Sequence, residues 1–303
     1  MIPEQQSATR DIARSFWVVI PAYNEAATVR DVAMRARQCC PHVIVVDDGS
    51  TDGTSQAVAG LDVTVLRNED NLGKAGSLVR GFKHALAQEA IGVITLDADG
   101  QHAPEEIPLL VKQSLEVPSA FLIGARRRDQ RKTSFWRYVA NRIADFWIGW
   151  AAGQPIEDSQ SGFRLYPASL LRQIDLNHDR TRSFVFESEM VIEAARRGFV
   201  CRNVSVSVTR RAGPRPSHFR PVVDIIHITR MVAWKILSRG LYLSGLWRSL
   251  RRTYFSSASR SMPDIEKTGC SVQSLHAGET IFPRSESQRK IQEGLGSHAG
   301  KGE

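Results

Sequence analysis

Residues Ile91 to His102, IGVITLDADGQH, join a short apolar run to a cluster of polar groups. Ile91 to Leu96 is rich in β-branched residues, which suits a strand buried on both faces. It runs straight into two carboxylates one residue apart. The same pattern recurs upstream. Phe16 to Ile20 ends at Pro21, His42 to Val46 ends in two acids, and Val63 to Arg67 is a third run. Ala26 to Gln38, Thr54 to Leu61 and Gly73 to Glu89 read as the intervening helices. Short apolar strands alternating with helices predict α/β architecture with a mainly parallel central sheet. In such sheets ligands bind beyond the carboxyl ends of the strands. PAYNE, DDGSTDGT and DADGQH follow those ends.

The chain has 303 residues, 42% hydrophobic and 24% charged, enough for a substantial core. This excludes a fully disordered chain, a collagen-like repeat and a disulfide-stapled miniprotein. Cys39, Cys40, Cys201 and Cys270 show no CxxC spacing, so a reduced, cytoplasmic compartment is expected. Residues 1–14 read as a polar, flexible leader without a secretory signal, and no uncharged apolar run reaches the ~18 residues of a membrane span. Residues 256–303, rich in Ser and Gly, read as a mostly disordered tail. The net charge of +8 is unevenly placed. Asp47 to Glu106 holds 11 acids against 4 bases, whereas Arg196 to Arg252 holds 13 bases and one acid. The acidic half argues against nucleic-acid binding. A site with a metal at one end and a phosphate or anionic membrane at the other fits this division.

Asp97 and Asp99 can both turn toward one hard divalent cation, and the Gln101 amide oxygen can add a third ligand. Mg²⁺ or Mn²⁺ accepts such oxygen donors and keeps substrate phosphates in its remaining positions. A solvated polar turn helped by Gly100 is the alternative reading. Asp48 can accept hydrogen bonds from a nucleobase or ribose, while the same segment also reads as a strand–turn–helix capped by Asp52 or Ser50. Tyr23 and Glu25 stand above the first strand, where Tyr23 can stack on a base or pack within its loop.

IPAYNE, VVDDGSTDGT, NLGKAGS (Asn71 to Ser77) and LDADGQH, in that order, resemble family 2 glycosyltransferases of the GT-A fold. GAR (Gly124 to Arg126), DSQSGFR (Asp158 to Arg164), FESEM (Phe186 to Met190) and TRRAGPRPSHF (Thr209 to Phe219) are most similar to the dolichol-phosphate mannosyltransferase branch, with its bacterial polyprenyl-phosphate relatives. The resemblance spans about Phe16 to Arg230. It implies a Rossmann-like, nucleotide-sugar-binding catalytic domain over 15–221; residues 222–255 read, from their own pattern, as amphipathic, membrane-associating helices. Pro21, Tyr23, Glu25, Val46 and Asp48 would surround the donor nucleoside. Asp97, Ala98, Asp99 and Gln101 would hold the metal and diphosphate. Arg126, Arg137 and Asn141 would lie near the acceptor phosphate, with Asn141 standing where the branch has Ser. Arg210 and His218 would approach the diphosphate, His218 standing where the branch has Lys.

The implied reaction is inverting transfer of a hexose from GDP-mannose or a UDP-sugar to a polyprenyl phosphate. A phosphate acceptor is already ionised and needs no strong base. A hydroxyl acceptor on a glycolipid or glycan needs one, for which Asp158 is the candidate; alternatively Asp158 is a structural acid paired with Arg164. A non-catalytic nucleotide-sugar-binding protein is the remaining alternative. Of the basic loop Arg126, Arg127, Arg128, Arg131 and Lys132, most read as solvated surface. Glu187 and Glu189 read either as orienting the basic loop or as acids at a helix start. On a helical wheel Val222, Ile225, Ile226, Val232, Ala233, Ile236 and Leu237 share one side, with Asp224, Lys235 and Arg239 opposite. That stripe fits a helix lying on an anionic membrane, peripheral to its inner face, or core packing against the sheet.

Overall fold

The computed structural model describes residues 15–126, 135–176, 185–207 and 221–258, with side chains outside the description at 135–141, 221–227 and 251–258. The leader 1–14, most of the tail, the arginine-rich loop after Arg126, and Arg210 with His218 lie outside these residues.

The first half alternates β1 (Phe16–Ala22), α1 (Val29–Cys39), β2 (Val43–Asp47), α2 (Thr54–Ala57), β3 (Thr64–Arg67), α3 (Gly73–Ala87) and β4 (Gly92–Thr95). The second half adds α4 (Ile107–Glu116), β5 (Phe121–Arg126), α5 (Phe135–Ala152), β6 (Arg164–Pro167), α6 (Ala168–Leu171), α7 (Phe186–Arg196), β7 (Cys201–Val206), α8 (Pro221–Leu237) and α9 (Leu243–Ala258). The strands form one seven-stranded sheet in the order β3-β2-β1-β4-β6-β5-β7, parallel except for β6.

Alternate residues of each strand feed opposite faces of the sheet. Val19, Ile44, Val93 and Ile123 pack beneath Leu78 and Phe82 of α3, Ile148 of α5 and Met190 of α7. Val18, Ile20, Val45 and Ile94 pack on the other face against Val32 and Ala36 of α1 and Leu110 of α4. Burial on both faces explains why β1, β2 and β4 read as continuous apolar runs.

Three local readings are corrected. Helix α1 starts at Val29 rather than Ala26, because the amides of Glu25 and Ala26 are drawn sideways to Thr54 Oγ1 and Asp52 Oδ2. The helix read over Thr54 to Leu61 is one turn long; Gly60, at φ 79°, turns the chain out of it. On α8, Val232 and Ile236 are buried in the core, yet Ala233 and Leu237 are exposed. Lys235 also faces inward, its ammonium paired with Glu189 at 3.2 Å and with Glu193, both on α7.

What α8 leaves outward is large and aromatic. Trp234 is 70% exposed and Trp247 of α9 is 56% exposed. Leu237, Leu241, Leu243 and Leu250 are exposed with them, as are Ile143, Phe146 and Trp147 of α5. Helix α5 meets the segment joining α8 to α9 through Trp150, whose indole Nε1 donates to the carbonyls of Leu241 and Tyr242 at 3.1 and 3.2 Å. No described helix is long and apolar enough to cross a membrane.

Candidate active site

The loops after β1 and β2 are tied to each other. The Asn24 amide donates to Ser50 Oγ, and the Thr51 amide returns a bond to Asn24 Oδ1, each at 2.9 Å. The two adjacent acids of β2 divide their work. Asp47 is buried and accepts from the Ser50 amide, from Ser55 Oγ and from Arg67, an ion pair of 2.8 Å. Burial alone would raise its pKa, but these partners hold it below the ordinary carboxylate value. Asp48 accepts from Asn68 Nδ2 at 2.7 Å and from the Leu72 amide at 2.9 Å. It thereby pins the loop that leads into α3.

At the end of β4, Asp97 Oδ1 lies 2.6 Å from Lys74 Nζ, the second residue of α3. The same ammonium stands 3.0 Å from Glu187 Oε1 at the start of α7. Burial works against ionisation of Asp97, but Lys74 first and His102 second hold its pKa below the usual range. Asp99 is shifted the other way, because burial and the nearby charges of Asp97 and Glu25 oppose its ionisation. Its Oδ1 accepts from the Gln101 amide at 2.9 Å, while the Gln101 side chain is exposed.

Because β6 runs antiparallel to β4 and β5, the segment preceding it reaches the same edge of the sheet. There Asp158, with φ 53°, grips Arg126 at the end of β5. Nε donates to Oδ2 at 2.6 Å and Nη2 to Oδ1 at 2.7 Å, a two-pronged ion pair. Asp158 keeps the Arg126 guanidinium charged, with burial opposing and Asp97 and Asp99 assisting. Buried Asp145 fixes the segment from below, accepting the Ser159 amide and hydroxyl at 2.9 and 2.7 Å.

The donor set suits a hard ion. Two carboxylates and an exposed amide supply only oxygen, and the crowding of Asp97, Asp99 and Glu25 leaves negative charge that a divalent cation would relieve. Among the described residues no three His, Cys, Asp or Glu side chains form a ready cage. An ion held here would therefore take further ligands from substrate, as Mg²⁺ commonly does.

Residues 17–178 match the family model described as glycosyl transferase family 2. The chain belongs to that family. Among curated relatives of this glycosyltransferase, the polyprenol monophosphomannose synthase of Mycolicibacterium smegmatis is 30% identical over 69% of this chain and 82% of its own. The undecaprenyl-phosphate mannosyltransferase of Micrococcus luteus is 29% identical over 77% and 96%. Among solved structures, the glucosyl-3-phosphoglycerate synthase of Mycobacterium tuberculosis, in complex with Mg²⁺ and uridine diphosphate, aligns with TM-score 0.53 and 22% identity, covering 78% of this chain and 82% of that one. Mannosyl-3-phosphoglycerate synthase from Rubrobacter xylanophilus aligns with TM-score 0.54 and 18% identity over 89% and 87%. At those identities the structural likeness establishes the GT-A fold alone.

Within the glycosyltransferase, Pro21, Tyr23, Glu25, Asp48, Asp97, Ala98, Asp99, Gln101, Arg126 and Asp158 all gather at one sheet edge. Val46 and Ala98 are there by backbone only, since their side chains are in the core. Arg137 and Asn141 lie one helical turn apart on α5, with side chains outside the description. Asp158 pairs with Arg126, not Arg164; the buried Arg164 guanidinium instead donates to the carbonyls of Ser159, Ser161 and Glu187. Glu187 and Glu189 hold Lys74 and Lys235 respectively. Lys74 and His102 went unremarked in the sequence as single residues. A lysine at a helix start, where the helix dipole disfavours a cation, is the signal that marks Lys74. His102 is buried beside Phe163, with Nδ1 lacking a hydrogen-bond partner.

Proposed function

We propose that this glycosyltransferase moves a hexose from a nucleotide sugar, GDP-mannose or a UDP-sugar, to a polyprenyl phosphate, with inversion. The observation that carries the reading is the meeting of donor-side carboxylates Asp97 and Asp99 with the Arg126 guanidinium, all at one sheet edge and in electrostatic reach of one another. The names of the curated relatives, a polyprenol and an undecaprenyl-phosphate enzyme, support the acceptor class.

Asp97, Asp99 and Gln101 would hold Mg²⁺ or Mn²⁺, which supplies neutralisation of the departing diphosphate. The paired loops carrying Tyr23, Glu25 and Asp48 wall the nucleoside side. Arg126, oriented by Asp158, anchors the acceptor phosphate; in this reading Arg137 and Asn141 share that role, and Arg210 and His218 serve the diphosphate. Both Asp158 oxygens are engaged by Arg126. That favours a phosphate acceptor, which brings its own ionised oxygen, over a hydroxyl acceptor that needs Asp158 as base. Orientation of the two substrates then supplies much of the rate.

The exposed aromatic surface of α5, α8 and α9 supports docking to an anionic membrane, where tryptophan settles in the interfacial region and arginines meet lipid headgroups. Peripheral attachment to the cytoplasmic face, serving cell-envelope glycan synthesis, follows from this reading.

The test is release of nucleoside diphosphate from GDP-mannose, UDP-glucose or UDP-GlcNAc, with Mn²⁺ or Mg²⁺, with and without a short polyprenyl phosphate. Release requiring both metal and lipid is expected. Metal-dependent release without lipid stimulation would move the acceptor to a hydroxyl.

A further inference from the structure

We propose that Lys74 is a resident cation that competes with the divalent ion for Asp97, so that the ion is held strongly only together with the donor diphosphate. This rests on the metal and donor site described above. The ammonium already engages one of the two Asp97 oxygens on which a cation would draw, at 2.6 Å from Oδ1. Asp97 has little freedom to offer another face, because Gly162 packs against its carboxylate: a Cβ built on Gly162 would stand 2.6 Å from both Asp97 Cγ and Oδ1.

Lys74 also has somewhere to go. Glu187, on a different element, already pairs with the same ammonium at 3.0 Å and can retain it when a metal displaces it from Asp97. A lysine in the first turn of α3 is disfavoured by the helix dipole, so its carboxylate partners must hold it there. When a divalent ion takes Asp97 and Asp99, it arrives beside an ammonium of like charge. The repulsion falls once the diphosphate places negative charge between them. Metal and nucleotide therefore reinforce each other's binding, and linkage makes that reinforcement reciprocal.

The test measures Mn²⁺ binding by the electron paramagnetic resonance signal of the free ion, on the full chain, without nucleotide and with UDP or GDP. The wild type is expected to bind Mn²⁺ on the order of tenfold more tightly with nucleotide than without it. Lys74→Met should bind Mn²⁺ alone on the order of tenfold more tightly than wild type, and the nucleotide effect should shrink accordingly. The double variant Lys74→Met with Glu187→Gln should keep that gain; its loss would assign the gain to an unpaired Glu187 and overturn the proposal. Unchanged or weaker Mn²⁺ binding in Lys74→Met would overturn it too, leaving Lys74 as a group that merely positions Asp97. Thermal melting checks that each variant folds, with Lys74→Gln as the substitute if Met does not. Wild-type Mn²⁺ binding that ignores nucleotide also overturns it. No Mn²⁺ binding under any condition would instead remove the metal site, and with it both this proposal and the donor reading.

Discussion

Gly162 lies against the carboxylate of Asp97, so closely that a Cβ at residue 162 would stand 2.6 Å from Asp97 Cγ. The antiparallel strand β6 creates this approach: the Thr95 hydroxyl donates to the Gly162 carbonyl at 2.7 Å, locking the two segments together. Gly162→Ala must displace Asp97 from Lys74 or push the β6 segment outward. A displacement near 1 Å in a reacting constellation can cost about a hundredfold in rate. We expect kcat/KM for nucleoside-diphosphate release to fall by roughly that factor, with the thermal midpoint also lowered, because overpacking a buried site costs about 1–3 kcal/mol. Wild-type turnover in Gly162→Ala would show that Asp97 is not needed where it stands.

Arg126→Ala leaves the almost fully buried Asp158 without its guanidinium. Removing one partner of such a pair costs about 3 kcal/mol. Urea denaturation of Arg126→Ala should show a loss of this order, and adding Asp158→Asn should recover most of it. Activity should not return in the double variant if Arg126 anchors the acceptor as proposed. Arg126→Lys should raise the acceptor KM well above the donor KM, since a lysine cannot reproduce the two-pronged contact.

Trp234 and Trp247 bury little of themselves within the protein. Replacing both with serine should leave the melting temperature within a degree or two, as surface substitutions usually do. Co-sedimentation with vesicles containing anionic lipid should fall sharply. Undiminished co-sedimentation would exclude these rings as membrane contacts.

Glu193 ties α7 to α8 through Lys235 and pairs with Arg196 and Arg197. Burial opposes its ionisation, but hydrogen bonds from Lys235 and Arg197 hold its pKa below the ordinary value of 4.5. A depressed carboxylate stabilises the fold above its unfolded pKa, and that stability is lost as pH falls through the folded one. Melting temperatures should therefore drop on acidification below about pH 4.5 more steeply in the wild type than in Glu193→Gln. At neutral pH the variant should melt lower; equal curves would show that the pair contributes nothing.

Strands β1, β2 and β4 were legible in the chain because burial on both faces makes them uninterrupted apolar runs, β3 by its short β-branched run despite its exposure, and the acids and polar loops that follow β1, β2 and β4 mark the candidate site's edge. Helix limits were less legible. Glu25 and Ala26 carry helix-compatible side chains, but their amides are claimed by Asp52 and Thr54 from another loop. The inward face of Lys235 was hidden for a similar reason: a wheel ranks residues by polarity, whereas Glu189 and Glu193 of α7 supply a buried-side partner.

The sequence by itself determined the α/β class, the order of the loops, the oxygen-donor character of DADGQH and the separation of acidic from basic halves. These depend on local side-chain chemistry and on periodicity along one strand or helix. Tertiary structure alone decided which charges meet. Lys74, Asp97 and Glu187 come from three separate elements. Arg126 finds Asp158 rather than leaving it to Arg164 because β6 enters the sheet reversed beside β5. Partners of a buried charge are set by which strands are neighbours and in which direction they run, and no short stretch of chain encodes that.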